Sequence, residues 1–391
     1  MIPIVMIPTV PPSADFPVSA DASGHAEAPR APRAVALVSG GLDSTLAVRM
    51  MQEQGVQVEG LHFYTGFCIT EQQRRSGNPK AANRPNDGLR AGVELDIPVE
   101  IVDISREYLE IVTHPKHGYG ANVNPCIDCR AMMLRKAGEI MRERGADFVI
   151  TGEVLGQRPM SQNRKAMDVI EDEAGLSGRL LRPLSARNLP MTEAERGHLV
   201  DRDQLKGMSG RTRKPQIALA QELGVDAYAQ PAGGCCFLTD ENFARKFRDL
   251  FAHDPDLHLD HEQIMLLTVG RHFRLKGGMK VVVGRNAGEN LMVQGLVERS
   301  VIPGAQLMVV EDRKGPTTVV AGGSNAALDA ADARDNMADL TVAAALTARY
   351  SDAPEGSEVA VRLWNPACQP QADGRVFNIT VVRDGFDDLR V

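Results

Sequence analysis

The chain is poor in aromatic residues and has no long apolar run. One Trp and five Tyr in 391 residues leave the cores to Val, Leu, Ile, Ala and Met, and a hydrophobic share of 43% is enough to fill them. No stretch approaches the roughly 20 apolar residues that span a bilayer as a helix, so no membrane-spanning helix is expected. Residues 1–33 begin apolar, but they carry no Lys or Arg ahead of that stretch and are broken by Pro3 and Pro8, which is not how a signal peptide is built. A disordered tail over 1–33 and a cytoplasmic location are expected. Basic charge is not in excess either: 44 Lys and Arg against 51 Asp and Glu give a net charge of −7. That balance argues against a uniformly basic nucleic-acid binder, although local patches decide phosphate contacts. Six cysteines are too few for a disulfide scaffold at this length.

What is present is a strand–helix alternation that starts at Ala34. "AVALVS" reads as a buried strand and "STLAVRMMQEQG" as an amphipathic helix closed by Gly55. "VQVEGLHFYT", "PVEIVDIS" and "ADFVITGE" are further strands, with helices over "REYLEIVTH" and "AMMLRKAGEIMRERG" and a loop over 74–88. Such alternation predicts an α/β fold with a doubly wound parallel sheet. From about 186 to 255 the texture is helical with a basic segment. Beyond 256, "MKVVVGRNAGENLMVQG", "AQLMVVEDRKGPTTVV" and "SEVAVRLWN" are strand-and-turn segments, and 326–350 is an Ala-rich helical region. The expected division is a tail (1–33), a nucleotide-binding domain (34–185), a helical extension (186–255) and a second, smaller α+β domain (256–391).

The stretch "SGGLDS", residues 39–44, falls between the first strand and its helix. A Gly pair there lets backbone N–H groups approach an anion at a positive helix terminus. Ser39 and Ser44 offer hydroxyls, and Asp43 can hold Mg²⁺. No Lys follows as in a Walker A loop. The plain alternative is a turn with Ser-type helix capping.

SGGxDS after the first strand resembles the signature of the PP-loop ATP pyrophosphatases, which implies a HUP-like fold. These bind ATP so that its α-phosphate is attacked and pyrophosphate leaves. The resemblance implies that Ser39, Gly40, Gly41, Asp43 and Ser44 cradle the pyrophosphate and its metal ion. "PCIDCRAMMLRKA" and "ADFVITGEVLGQRPMSQ" further resemble the tRNA 4-thiouridine synthase branch, over about residues 34–255. That resemblance implies ATP contacts at Gly152, Gln162 and Arg130, with Glu153, Gly156 and Gln157 in the same motif.

Cys126 and Cys129 form a CxxC pair, and Cys235 and Cys236 lie together in "GGCCF". CxxC with one distant Cys supplies three thiolates, one short of the four that close a cubane cluster. The pattern resembles iron–sulfur-dependent tRNA thiolases, which implies a [4Fe-4S] cluster on Cys126, Cys129 and either Cys236, favoured by "CFLTD", or Cys235. Persulfide and disulfide chemistry at these thiols, a structural zinc site and unconnected buried thiols are the alternatives. Cys68 and Cys368 read as isolated core thiols.

The implied reaction is adenylation of a uridine carbonyl by ATP with Mg²⁺, followed by displacement of AMP by sulfide. 4-Thiouridine is the favoured product; a 2-thiouridine synthase, a persulfide-based thiolase or another PP-loop ligase using zinc are alternatives, as is an RNA-binding adaptor without catalysis. RNA contacts are expected from Arg211, Arg213 and Lys214, and from Arg271, Arg274, Lys276, Lys280 and Arg285. "KVVVGRNAGEN" resembles the RNA-binding domain of the NFACT family, with Gly284, Arg285, Asn286 and Asn290 matching its distinctive turn. The implied partners are tRNA and a sulfur donor, sulfide or a desulfurase; a homodimer is compatible with the sequence.

Overall fold

The structure, a computed structural model, describes residues 30–68, 86–226, 228, 236–253, 261–299, 301–302, 304–322, 333–367 and 369–391. Most of the expected tail, most of the 74–88 loop, Cys235 and Cys368 lie outside the described residues.

Five strands form a wholly parallel sheet: β1 (Arg33–Leu37), β2 (Gln57–Tyr64), β3 (Val99–Asp103), β4 (Phe148–Ile150) and β5 (Leu180–Leu181), in the order β3-β2-β1-β4-β5. Helices cover both faces, because alternate residues of each strand point to opposite sides. Ala34, Ala36, Phe148 and Ile150 share a core with helix α1 (Leu42–Glu53) and helix α2 (Asp87–Leu95). Val35, Leu37 and Val149 instead meet helix α4 (Cys126–Glu143) and helix α5 (Arg164–Ala174). Helix α3 (Ser105–Thr113) follows β3. The expected doubly wound α/β fold is what these elements build, and the strand order reverses between β1 and β4. That reversal leaves a crevice beyond the strand C-termini, the usual ligand position in such sheets.

Two boundaries differ from the sequence reading. Residues 87–95 are helical, because the Asn86 side chain accepts from the N–H groups of Gly88 and Leu89 and starts a helix where the Arg- and Gly-rich texture suggested a loop. Helix α4 starts at Cys126 rather than Ala131. Pro125 precedes it, and Asp128 places negative charge in its first turn.

Helices α6 (Glu193–Arg196), α7 (Lys214–Glu222) and α8 (Glu241–His253) follow, and α9 (His261–Leu266) leads into the second sheet. That sheet is antiparallel, with β6 (Arg271–Arg274), β7 (Lys280–Val283), β8 (Gln306–Val310), β9 (Thr318–Ala321), β10 (Glu358–Trp364) and β11 (Arg375–Thr380) in the order β11-β10-β8-β9-β7-β6. Helix α10 (Ala287–Glu298) packs on the face that carries Val282, Leu307 and Val319. Helix α11 (Ala333–Arg349) packs on the other, against Val281, Val283, Met308 and Val320.

The two sheets are joined through one apolar cluster. Tyr108 and Val112 of α3, Phe243, Ala244 and Phe247 of α8, and Ile264 and Met265 of α9 are buried together in it. No described helix is long and apolar enough to cross a membrane.

Candidate active site

The loop after β1 is shaped by close approaches that only glycine permits. Gly40 has φ +74, and a Cβ there would lie 2.2 Å from the carbonyl oxygen of Asp87. Across the crevice, a Cβ on Gly152, just beyond β4, would sit 2.4 Å from the backbone of Asp43 and Ser44. Gly152 thus lets the two strand ends close on each other. Gly152→Ala is expected to destabilise the chain by about 1–3 kcal/mol through overpacking, as read by urea unfolding.

Within the loop, the Ser44 hydroxyl donates to the Gly41 carbonyl at 3.0 Å and lies 3.2 Å from the Ser39 hydroxyl, while Thr45 Oγ1 donates to the same carbonyl at 3.1 Å. Gly41 occupies the N-cap of α1, and no side chain caps that helix. The Ser-capping alternative therefore does not describe this turn. The α1 terminus keeps its positive end toward the crevice.

Asp43 stands at that terminus. Its Oδ2 accepts from Gln157 Nε2 at 3.0 Å and lies 4.0 Å from Arg213. Its Oδ1 is buried with no hydrogen-bond partner among the described residues. Burial pushes the Asp43 carboxyl above its ordinary value, against the opposing influence of the Gln157 hydrogen bond and of Arg213 and Arg158. A buried carboxylate oxygen without a partner, raised in pKa, suits a cation.

Arg213 and Arg158 both act on Asp43, a role the sequence pattern does not signal. Arg213 belongs to the basic run assigned to RNA. It reaches Asp43 because Ser209 forms a parallel bridge with Leu155 and the Gly210 N–H donates to the Leu155 carbonyl at 2.7 Å. That tertiary pairing of 209–210 with the Gly152–Gln157 segment left no local signal in the sequence. Arg211 and Lys214, its neighbours in the run, are exposed.

The remaining motif residues lie along the same segment. Gln162 is buried; the Gly156 N–H donates to its carbonyl at 2.6 Å, and its side-chain Oε1 is orphaned among the described residues, as is that of Gln157. Glu153, 3% exposed, accepts from Arg182 Nε at 3.1 Å and lies 3.7 Å from Arg130 Nε. Arg182 also donates to Glu171 at 2.6 Å. Its two carboxylate partners overcome the effect of burial and hold its pKa above the usual arginine value. Arg130 thus stands on α4 facing the acid that ends the Thr151-Gly152-Glu153 run.

Helix α4 also carries the cysteine pair. Cys126 and Cys129 lie in its first turn and are half-buried. Cys129 packs against the apolar cluster that contains buried Cys236, so these two cysteines, distant in the chain, share one cluster. Cys68 is not an isolated core thiol, because its backbone forms an antiparallel bridge with Cys236. A different constellation, His117, Asp128 and Glu173, has its ligand atoms within 4.8 Å of one another. Glu173 is already engaged by Lys116 at 2.7 Å and by His117 at 2.6 Å, and Asp128 accepts the His117 N–H at 3.0 Å. That group ties the segment ahead of α4 to α5.

On the second sheet, most of the basic run is engaged internally. Arg274 and Lys280 both donate to Asp249 of α8, Arg271 lies 4.4 Å over the Tyr350 ring, and Arg285 pairs with Glu289. Lys276 is exposed and makes no such pairing among the described residues. The "GRNAGEN" turn is architectural: Asn286 caps α10, and Asn290 Oδ1 accepts from the Thr317 N–H at 3.1 Å.

A parallel five-stranded sheet with SGGLDS at its switch point and an orphaned Asp43 oxygen mark a PP-loop domain. Residues 30–188 match the family described as thiamine biosynthesis protein (ThiI), and residues 270–380 match the NFACT protein RNA binding domain. The chain therefore carries a ThiI-type PP-loop domain followed by an NFACT-type RNA-binding domain. It is also similar to tRNA-specific 2-thiouridylase MnmA of Bacillus cytotoxicus, with 26% identity over 282 residues, 68% of this chain and 71% of that protein. The same enzyme of Bacillus anthracis is 26% identical over the same shares. Among solved structures, a 4-thiouridine synthetase–RNA complex with bound ATP is 22% identical over 50% of this chain and 52% of that one, with a TM-score of 0.31. The C-terminal part of a fibronectin/fibrinogen-binding protein from Streptococcus suis is 16% identical over 68% of this chain and 90% of that one, with a TM-score of 0.25.

Proposed function

We propose that this chain is an ATP-dependent tRNA sulfurtransferase that adenylates a uridine carbonyl and exchanges its oxygen for sulfur, with 4-thiouridine as the favoured product. The observation that carries this reading is the meeting of Cys129 and Cys236 in one cluster of a protein whose PP-loop holds a buried, unpartnered carboxylate oxygen. A PP-loop alone serves many ligases; thiols brought together in the same chain point to sulfur. The working division is a PP-loop domain over 34–185, a helical extension over 186–255 that brings Cys236, and an RNA-binding domain over 256–391.

The chain's own groups supply most of the chemistry. The α1 terminus, Arg158 and Arg213 offer positive charge to the phosphates of ATP where negative charge develops. Asp43 fits Mg²⁺ through its orphaned oxygen, and the ion would neutralise charge on the leaving pyrophosphate. Gln157 orients Asp43, and Gly152 allows β4 to approach the loop. The uridine oxygen attacks the α-phosphorus, the bond to the bridging pyrophosphate oxygen breaks, and the adenylated carbon becomes open to sulfur. Cys126 and Cys129 in the first turn of α4, with Cys236 in the apolar cluster that Cys129 packs against, are soft donors of the kind that suits a [4Fe-4S] cluster. That cluster, when bound, would supply the sulfide that displaces AMP. Arg130 and the Glu153–Arg182 pair hold α4, and with it the cysteines, against the end of β4.

A second product, 2-thiouridine, is favoured by the similarity to the Bacillus 2-thiouridylases over 68% of the chain. One experiment decides between them. Anaerobically reconstituted protein is incubated with unmodified tRNA, ATP, Mg²⁺ and sulfide, and the digested tRNA is analysed by mass spectrometry. An ATP-dependent 4-thiouridine peak, absent with Cys126→Ala, is the expected result. A 2-thiouridine peak changes the regiochemistry, and no thionucleoside despite ATP cleavage and an intact cluster overturns the reading.

A further inference from the structure

We propose that Cys68 and Cys236 are a cross-strand thiol pair that closes to a disulfide on exposure to small-molecule disulfides, taking Cys236 out of the reactive thiol set. Cys68 lies beyond β2, and its backbone is bridged antiparallel to Cys236. The Phe237 N–H donates to the Phe67 carbonyl at 3.1 Å. This bond joins the residue after Cys236 to the residue before Cys68, so the two cysteines face each other at a position that is not itself hydrogen-bonded. Directly opposed residues of that kind have Cα atoms about 4.5 Å apart and side chains on one face. Disulfides require Cα separations of roughly 4.4–6.8 Å. The register is pinned by packing, since the Phe67 ring lies 5.4 Å from that of Phe237 and 5.5 Å from that of Tyr108, and Phe67 is fully buried.

Exposure sets the order of events. Cys236 is buried and Cys68 is partly exposed, so an oxidant meets Cys68 first. The Cys68 thiolate attacks a disulfide such as glutathione disulfide, breaking its S–S bond and releasing one glutathione thiolate. The Cys236 thiolate then attacks the Cys68 sulfur of the mixed disulfide, and the second glutathione leaves. The two protein thiols give up two electrons and two protons, and the glutathione disulfide takes them up; a dithiol reductant reverses the sequence. The consequence for sulfur transfer rests on the function proposed above, but formation of the pair does not.

The test uses the full-length chain purified without cluster reconstitution and treated with glutathione disulfide, then alkylated and digested without reduction. A peptide linking Cys68 to Cys236, removed by dithiothreitol, is expected as the main cross-link. Cys68→Ser should leave Cys236 outside any intramolecular link. Linkage of Cys236 to Cys126, Cys129 or Cys235, or alkylated Cys68 beside an oxidised Cys236, overturns the pairing. Because the readout is a peptide mass, a chain that forms the link but never thiolates tRNA refutes the functional reading and leaves the pair standing.

Discussion

Asp43→Asn is expected to reduce tRNA-dependent pyrophosphate release by about 10²–10³-fold, the usual cost of removing one charge-stabilising group from a preorganised site. The substitution is conservative in shape. An Asn carbonyl can still accept from Gln157, which now donates to Asp43 Oδ2 at 3.0 Å. What disappears is negative charge at the position where Oδ1 lies buried and orphaned. Stability should hold or rise, because burial raises the pKa of this carboxyl and its ionised form is a cost to the folded state. That raised value belongs to the carboxyl without its cation, so protons compete with Mg²⁺ at Asp43 and the acid limb of the activity profile should move to higher pH as Mg²⁺ is lowered. Steady-state pyrophosphate assays with a melting curve alongside check both halves. Wild-type turnover in the Asn variant would reduce SGGLDS to a tight turn.

How much of this site was legible depends on whether its parts are local. The strand–Gly-Gly–helix junction at 39–44 is a local device, and alternation alone placed β1, β2 and β3 and the parallel sheet. Helix α2 was missed because its start depends on one capping side chain, Asn86, at the edge of a loop-like composition. The basic run around Arg213 suggests RNA, because such a run carries no information about what it faces. Only the Leu155–Ser209 bridge turns it toward Asp43. Cys68 was read as a core thiol for the same reason, since its partner lies far along the chain. In the "GRNAGEN" motif the side-chain oxygens of Asn286 and Asn290 accept from backbone N–H groups, so the motif shapes its own turn. A recurring motif marks a place; the hydrogen bonds around it decide whether that place is a site or a hinge pin of the fold.

The junction between the two sheets gives the second large effect. Asp249 on α8 accepts from Arg274 Nε at 3.2 Å, from Arg274 Nη2 at 2.8 Å and from Lys280. The three side chains are only 11%, 12% and 9% exposed, respectively. Burial alone would raise the Asp249 carboxyl, but the hydrogen bonds from Arg274 and Lys280 outweigh it and hold its pKa below the ordinary value. Its stabilisation is therefore present above the ordinary Asp range and is lost as pH falls through the depressed folded value. Asp249→Ala leaves two buried cations without their shared partner, at a cost of about 3–5 kcal/mol. Burial holds the Lys280 pKa at about 8 even with Asp249 raising it, so without Asp249 the amine gives up its proton below that value; the loss should be largest in mild acid and shrink as pH rises toward 8. Denaturant unfolding at several pH values measures this, and hydrogen exchange in β6 and β7 localises it. The same variant separates two roles for the basic run. If Arg274 and Lys280 were RNA contacts held in check by Asp249, its removal would tighten tRNA binding with stability unchanged, and that result would sink the clamp. A structural clamp gives the reverse: weaker folding, tRNA affinity no better than before, and less sulfur transferred per tRNA bound, because α8 runs from the Cys236 segment to the sheet that is expected to hold the RNA.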